Sequence, residues 1–177
     1  MASIRSGIGE TMEDRYLCRA KRKSWRELPK EMWWVEGYYA YFKGNDNHCI
    51  YYETDELTLV CDIDISTLCA CTGLKDKNGK LIWENDIVDF LGHKGIVKYE
   101  CGSFGIAYRE CIDWEEIESN ICPVTGCDNA LYACENDNFI SLWEIYWNFN
   151  DEDNSVNTVE VIGNIFDNPE LLESEEK

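Results

Sequence analysis

Apolar and polar positions alternate along most of this chain with a period of two. The stretch Tyr16-Leu17-Cys18-Arg19-Ala20-Lys21-Arg22 puts Arg19, Lys21 and Lys23 on one face and Cys18 and Ala20 on the other, which predicts a strand over 15–23. Trp33 to Phe42 is dense in aromatic residues and predicts a second strand. Gly44-Asn45-Asp46-Asn47 supplies turn chemistry, and Cys49 to Glu53 returns as the partner strand of a hairpin. Both faces of the second strand are apolar. Trp33, Val35, Tyr39 and Tyr41 lie on one, and Trp34, Tyr38 and Phe42, interrupted by Glu36, on the other. Such a strand needs cover on both sides, either as a sandwiched core strand or with one cover from a second subunit or a planar ligand. Leu57 to Ile65 alternates again and predicts a half-buried strand.

The same period continues in the second half. Strands are expected near 86–91, 94–100, 104–110, 140–149 and 157–163. Over 140–149, Ser141, Trp143, Ile145, Trp147 and Phe149 alternate with Leu142, Glu144, Tyr146 and Asn148, which favours a strand over a helix. Five short strands joined by tight turns suit a small SH3-like barrel. Asp113 with Glu116 three residues later predicts a short helix over 113–118, and Asn168-Pro169-Glu170 predicts the start of a terminal helix. Residues 1–14 read as a flexible leader, 119–138 as an irregular Cys-rich excursion and 150–155 as a solvated acidic turn.

Two segments carry the turn chemistry that sets register. In Asp76-Lys77-Asn78-Gly79-Lys80, Asn-Gly tolerates the positive φ of a tight hairpin, and the Asp76 side chain can accept from amides two residues on. Glu84-Asn85 turns the chain again, Asn being the best residue after Gly for a left-handed position. The first turn lacks the further acidic positions and the distal Glu of a calcium loop. It also lacks the glycine-rich helix start of a phosphate cradle.

The run Thr72-Gly73-Leu74-Lys75-Asp76-Lys77-Asn78-Gly79-Lys80-Leu81-Ile82-Trp83-Glu84-Asn85-Asp86-Ile87-Val88-Asp89-Phe90 resembles the signature of the YopX family. Val161-Ile162-Gly163-Asn164-Ile165-Phe166-Asp167-Asn168-Pro169-Glu170-Leu171-Leu172 is similar to a second stretch of the same family, in the same order along the chain. The family usually has Gly where Asn85 stands. The resemblance implies a phage or prophage setting and an SH3-like barrel in the second half, and it implies no reaction. The expected fold is mainly β with a few short helices (α+β), divided into a β-rich unit over 15–70 and the five-stranded barrel within 71–177.

Charge changes the picture more than size does. The 177 residues carry a net −19. Residues 1–43 hold nine Lys or Arg against six Asp or Glu, and residues 44–177 hold seven against 29. That excess opposes direct contact with nucleic acid or an anionic membrane and favours a host or phage protein with a basic surface. No apolar run is long enough for a transmembrane helix. The N-terminus lacks a basic region followed by an apolar one, so the expected location is the cytoplasm of a bacterial cell.

Ten cysteines in such a setting read as thiols. Their spacing is not that of a zinc ribbon, and Cys122, Cys127 and Cys134 are the one group worth weighing for zinc. No catalytic motif is present, so no catalytic residue, cofactor or resident metal is expected. Two functions remain. The first is a non-enzymatic accessory protein acting by protein contact, as an acidic mimic of nucleic acid or an inhibitor of a host factor. The second is a homo-oligomer that sequesters a nucleotide-like ligand. The candidate ligand or interface patch combines Arg19, Lys21 and Arg22 with Trp33, Trp34 and Tyr39, because cations and aromatic rings suit phosphates and bases.

Overall fold

The computed structural model describes residues 16–54, 56–100, 102–109, 138–149, 155–156 and 158–173. The leader over 1–14, the helix expected over 113–118, nearly all of the excursion over 119–138 and the acidic turn over 150–154 lie outside them. The chain is mainly β and forms two compact units, divided between Gly73 and Leu74.

The first unit is an antiparallel sheet. Its strands are β1 (Cys18–Lys21), β2 (Trp34–Phe42), β3 (Asn47–Glu53), β4 (Thr58–Asp62) and the start of β5 (Cys69–Asp76), in the spatial order β5-β1-β2-β3-β4. The alternation read from the sequence sets the register: Ala20 faces Val35, Tyr39 faces Ile50 and Ile50 faces Cys61. Ala20, Val35, Ile50 and Ile63 form the buried cluster, with Cys18, Tyr52, Cys61 and Leu68 packed against it. The β2–β3 turn is made at Asp46, whose φ is +51°. Gly37 lets two strands close up, since a Cβ there would stand 2.0 Å from the Tyr51 carbonyl oxygen. Short 3-10 turns at Trp25–Glu27, Lys30–Met32 and Ile65–Thr67 complete the unit.

The second unit begins in β5, which turns into β6 (Leu81–Trp83). There follow β7 (Asp86–Phe90), β8 (His93–Glu100), β9 (Ser103–Ala107), β10 (Phe139–Ser141), β11 (Ser155–Val156) and β12 (Val159–Asn164). Strands β10-β9-β8-β7-β12 make one antiparallel sheet, and β11 pairs with the end of β5 in parallel. Both signature turns form as read. Gly79 has φ +77° and Asn85 φ +66°. Asp76 is 1% exposed, and its Oδ1 accepts from the amides of Asn78 at 2.8 Å and Lys80 at 2.9 Å. Ile82, Val88, Phe90, Val97, Ile106, Ile140, Leu142, Ile145 and Val159 are all fully buried in the core.

Two expectations need correction. The strand read over 140–149 is β10 for three residues and then helix α1 (Leu142–Phe149). Leu142 and Ile145, three apart and both fully buried, place one helical stripe in the core. So many residues here are apolar that both periods fit the run.

The five-stranded sheet is also open, with β10 and β12 at its ends; it does not close into a barrel. β10 is too short to offer a long edge. The outer edge of β12 is already engaged, because the Lys77 amide donates to the Val159 carbonyl at 2.9 Å and the Val161 amide donates to Asp76 Oδ2 at 3.0 Å. A Lys77–Glu160 ion pair at 2.6 Å lies over the same edge. A covered edge cannot accept another strand. The terminal helix forms as a 3-10 turn over Pro169–Leu172, without a side-chain cap from Asn168.

Candidate interaction surface

The basic face of β1 is turned inward. Lys21 is 1% exposed and Arg19 8%. The Lys21 ammonium sits over three indole rings, 4.0 Å from the centroid of Trp25, 4.6 Å from Trp33 and 5.6 Å from Trp34. Trp34 reaches it as a cross-strand neighbour, Trp25 from the first 3-10 turn and Trp33 from the end of the second. Arg19 Cζ lies 5.0 Å over Trp34. Attraction to the electron-rich ring faces offsets part of the cost of taking these cations out of water.

The segment from Asp64 to Thr67 locks this arrangement. The Lys21 amide donates to Thr67 Oγ1 at 2.8 Å, and that hydroxyl donates to the Asp64 carbonyl at 2.7 Å. The Asp64 amide donates back to the Lys21 carbonyl at 2.9 Å. The Asp64 carboxylate caps the turn, accepting from Ser66 Oγ at 2.6 Å, and it receives Trp25 Nε1 at 3.4 Å. Ser66 foremost, then Trp25, holds this carboxyl below its usual range despite partial burial. A depressed carboxyl contributes stability above its unfolded value and loses it as pH falls through the lower folded value. Asp64→Asn should therefore lower the urea midpoint at neutral pH by the equivalent of about 1 kcal/mol. The gap to the parent should close below about pH 4. A gap that persists into acid would show that the charge is not what stabilises the turn.

The six residues of the candidate patch are not brought together. Arg19, Lys21 and Trp34 share one face of the sheet, and Trp33 joins them at the ammonium. Arg22 points to the other face, where its guanidinium donates to Cys61 Sγ at 3.1 Å and lies 5.7 Å from the Tyr52 ring. Tyr39 is on that other face too, sharing a 2.7 Å hydrogen bond with His48 Nδ1. His48 stacks on Tyr41 at 4.8 Å, and the Tyr41 hydroxyl donates to Asp46.

The candidate patch of six does not include Trp25 or Asp64, which complete this cluster. A tryptophan four residues after Lys21 was its only local sign.

The far half of β2 is exposed on both faces rather than sandwiched. Tyr38, Tyr39, Tyr41 and Phe42 all remain exposed, as do Val60 in β4 and Leu57 just before it. Chemistry is sparse by comparison. Burial pushes the Cys49 thiol up, away from a nucleophilic thiolate. Cys18, Cys49, Cys61, Cys69 and Cys71 are thiols. Among the described residues no group of three or more His, Cys, Asp or Glu stands ready for a metal ion. Cys122, Cys127 and Cys134 lie outside the described residues.

Residues 22–173 match the family described as YopX protein. The chain belongs to the YopX family. No curated protein matches it. The family match begins at Arg22, so Arg19 and Lys21 precede it, while Trp25, Trp33, Trp34 and the whole exposed hairpin fall within it. In this YopX-family chain the charge is divided as unevenly as the fold. Residues 74–177 hold seven Lys or Arg against 23 Asp or Glu, a net −16 of the total −19. Among the described residues no helix is long and apolar enough to cross a membrane.

Proposed function

We propose that this YopX-family protein acts by surface contact rather than catalysis, as a phage or prophage accessory factor that occupies a basic site on a host or phage protein. Sites meant for nucleic acid are included, and the setting is the bacterial cytoplasm. The observation that carries the reading is strand β2 of the β2–β3 hairpin, whose Tyr38, Tyr39, Tyr41 and Phe42 are exposed, two on each face. Contiguous exposed apolar surface of this kind marks interaction sites. The net −19 supplies the sign of the partner, since complementary charge steers encounter and rejects like-charged surfaces. The nucleotide-binding alternative draws less support, because Arg19 and Lys21 are buried against tryptophan rings.

The test is capture from bacterial lysate on the immobilised full chain, followed by release of bound nucleic acid from whatever is captured. A retained basic nucleic-acid-binding protein, displaced from its DNA or RNA by the free chain and released at high salt, is the expected result. Capture of no basic protein, together with a rise in melting temperature on adding nucleotides, would overturn this reading in favour of the ligand-binding one.

A further inference from the structure

One face of the first unit's sheet changes character along β2. At its start Lys21 faces Trp34 and Arg19 faces Glu36, and the chain's own cations cover its own rings. Further along the same face, Tyr38 stands opposite Tyr51, which stands opposite Val60. Phe42 follows, its ring centroid 6.3 Å from that of Tyr51. Tyr38, Phe42 and Val60 are 44%, 43% and 54% exposed. Carboxylates flank this apolar row. Glu36 and Glu53 are exposed on one side of it, and Asp62, also exposed, on the other. β4 is the last strand of the sheet.

We propose that this face of β2–β3–β4 docks an extended, arginine-bearing segment of a partner protein. The proposal rests on the surface-contact reading above and names both the place and the chemistry of the contact. Guanidinium groups stack on Tyr38, Tyr51 and Phe42 and pair with Glu36, Glu53 and Asp62. A guanidinium is planar and weakly hydrated, so one group can lie on a ring and fork to a carboxylate at once, which an ammonium does poorly. At the buried end of the same face the Arg19 guanidinium already lies over the Trp34 ring. An extended segment lying over this face presents alternate side chains at about 7 Å, the spacing of alternate residues along β2, β3 and β4. The flanking carboxylates repel a nucleic-acid backbone.

The experiment uses the full chain and three labelled peptides in which threonine alternates with arginine, lysine or citrulline, read by fluorescence anisotropy at near-physiological salt. The arginine peptide should bind, the citrulline peptide about tenfold or more weaker, and the lysine peptide in between. Tyr38→Ser with Phe42→Ser should weaken the arginine peptide at least about tenfold. Both side chains are exposed, so melting temperature should barely move. Glu53→Gln with Asp62→Asn should weaken it comparably and flatten its salt dependence, and bound peptide should shift the amide resonances of Thr58 and Val60. Arginine and citrulline peptides binding alike would overturn the proposal, as would full binding retained by both double variants. In the latter case the acidic second unit holds the peptide, and the broader surface-contact reading survives. Failure of the arginine peptide to bind at all overturns the docking face, while the lysate experiment decides the broader reading separately.

Discussion

Asp76→Ala is expected to destabilise the second unit by about 2–4 kcal/mol, the cost of stranding backbone donors that no water can fully reach. The carboxylate is 1% exposed and serves three amides: Asn78 and Lys80 through Oδ1, and Val161 through Oδ2. The first two hold a turn; the third joins that turn to a strand 85 residues away in the chain. Asp76→Asn separates the two roles. An amide offers one carbonyl, so it can serve the turn or the strand, and its NH2 then confronts the other donor. About half of the alanine loss is expected. Urea unfolding checks both, with a lower midpoint and an unchanged slope. The alanine variant should also self-associate on sizing columns, because releasing Val161 uncovers the outer edge of β12. A midpoint within error of the parent would mean that the signature turn is held by its glycine alone.

That carboxylate shows how far local reading reaches. The turn at 76–80 and the left-handed Asn85 were legible, because the residues that permit those angles are few and sit in the turn itself. The β2–β3 hairpin and the β7–β8–β9 meander were legible for a similar reason: alternation places one face, and short polar bends set the register. The tie from Asp76 to Val161 was not, because nothing near Asp76 in sequence indicates which strand will lie beside it. The closed barrel failed on the same ground. Five strands were counted correctly in kind, but closure depends on whether the two end strands have free edges, and Lys77 and Asp76 already occupy one of them.

The helix at Leu142–Phe149 was missed through excess rather than lack of signal. Leu142, Trp143, Ile145, Tyr146, Trp147 and Phe149 satisfy alternation and a helical stripe alike. Packing on the core decides between them, through Leu142 and Ile145. The candidate surface was half legible. The double-faced aromatic strand was visible, and so was its need for cover. Alternation also placed Arg19 and Lys21 together on one face, but a basic face reads as solvated by default. Burial came from three tryptophans, one in a 3-10 turn and one directly after another, and such turns have no periodic signature.

Lys21 is where that misreading has the largest consequence. Lys21→Ala is expected to cost about 3 kcal/mol, by emptying a side-chain volume and removing the cation from three rings at once. The parts separate by shape. Lys21→Met refills most of the volume with an unbranched apolar chain and lacks the charge, so its deficit, about 1–2 kcal/mol, measures the cation's hold on the rings. Urea midpoints supply the energies, and near-ultraviolet dichroism shows whether Trp25 and Trp33 keep their edge-to-face contact at 4.8 Å. Methionine should preserve that signal and alanine should lose it. If methionine instead matched or exceeded the parent, burial of the ammonium would be a net cost. The tryptophans would then stabilise the fold as an apolar cluster that tolerates Lys21 rather than one organised around it. The aromatic row at Tyr38, Tyr51 and Phe42 is proposed to use the same chemistry with a guanidinium from outside, so a strong hold in the buried cluster raises the affinity expected there.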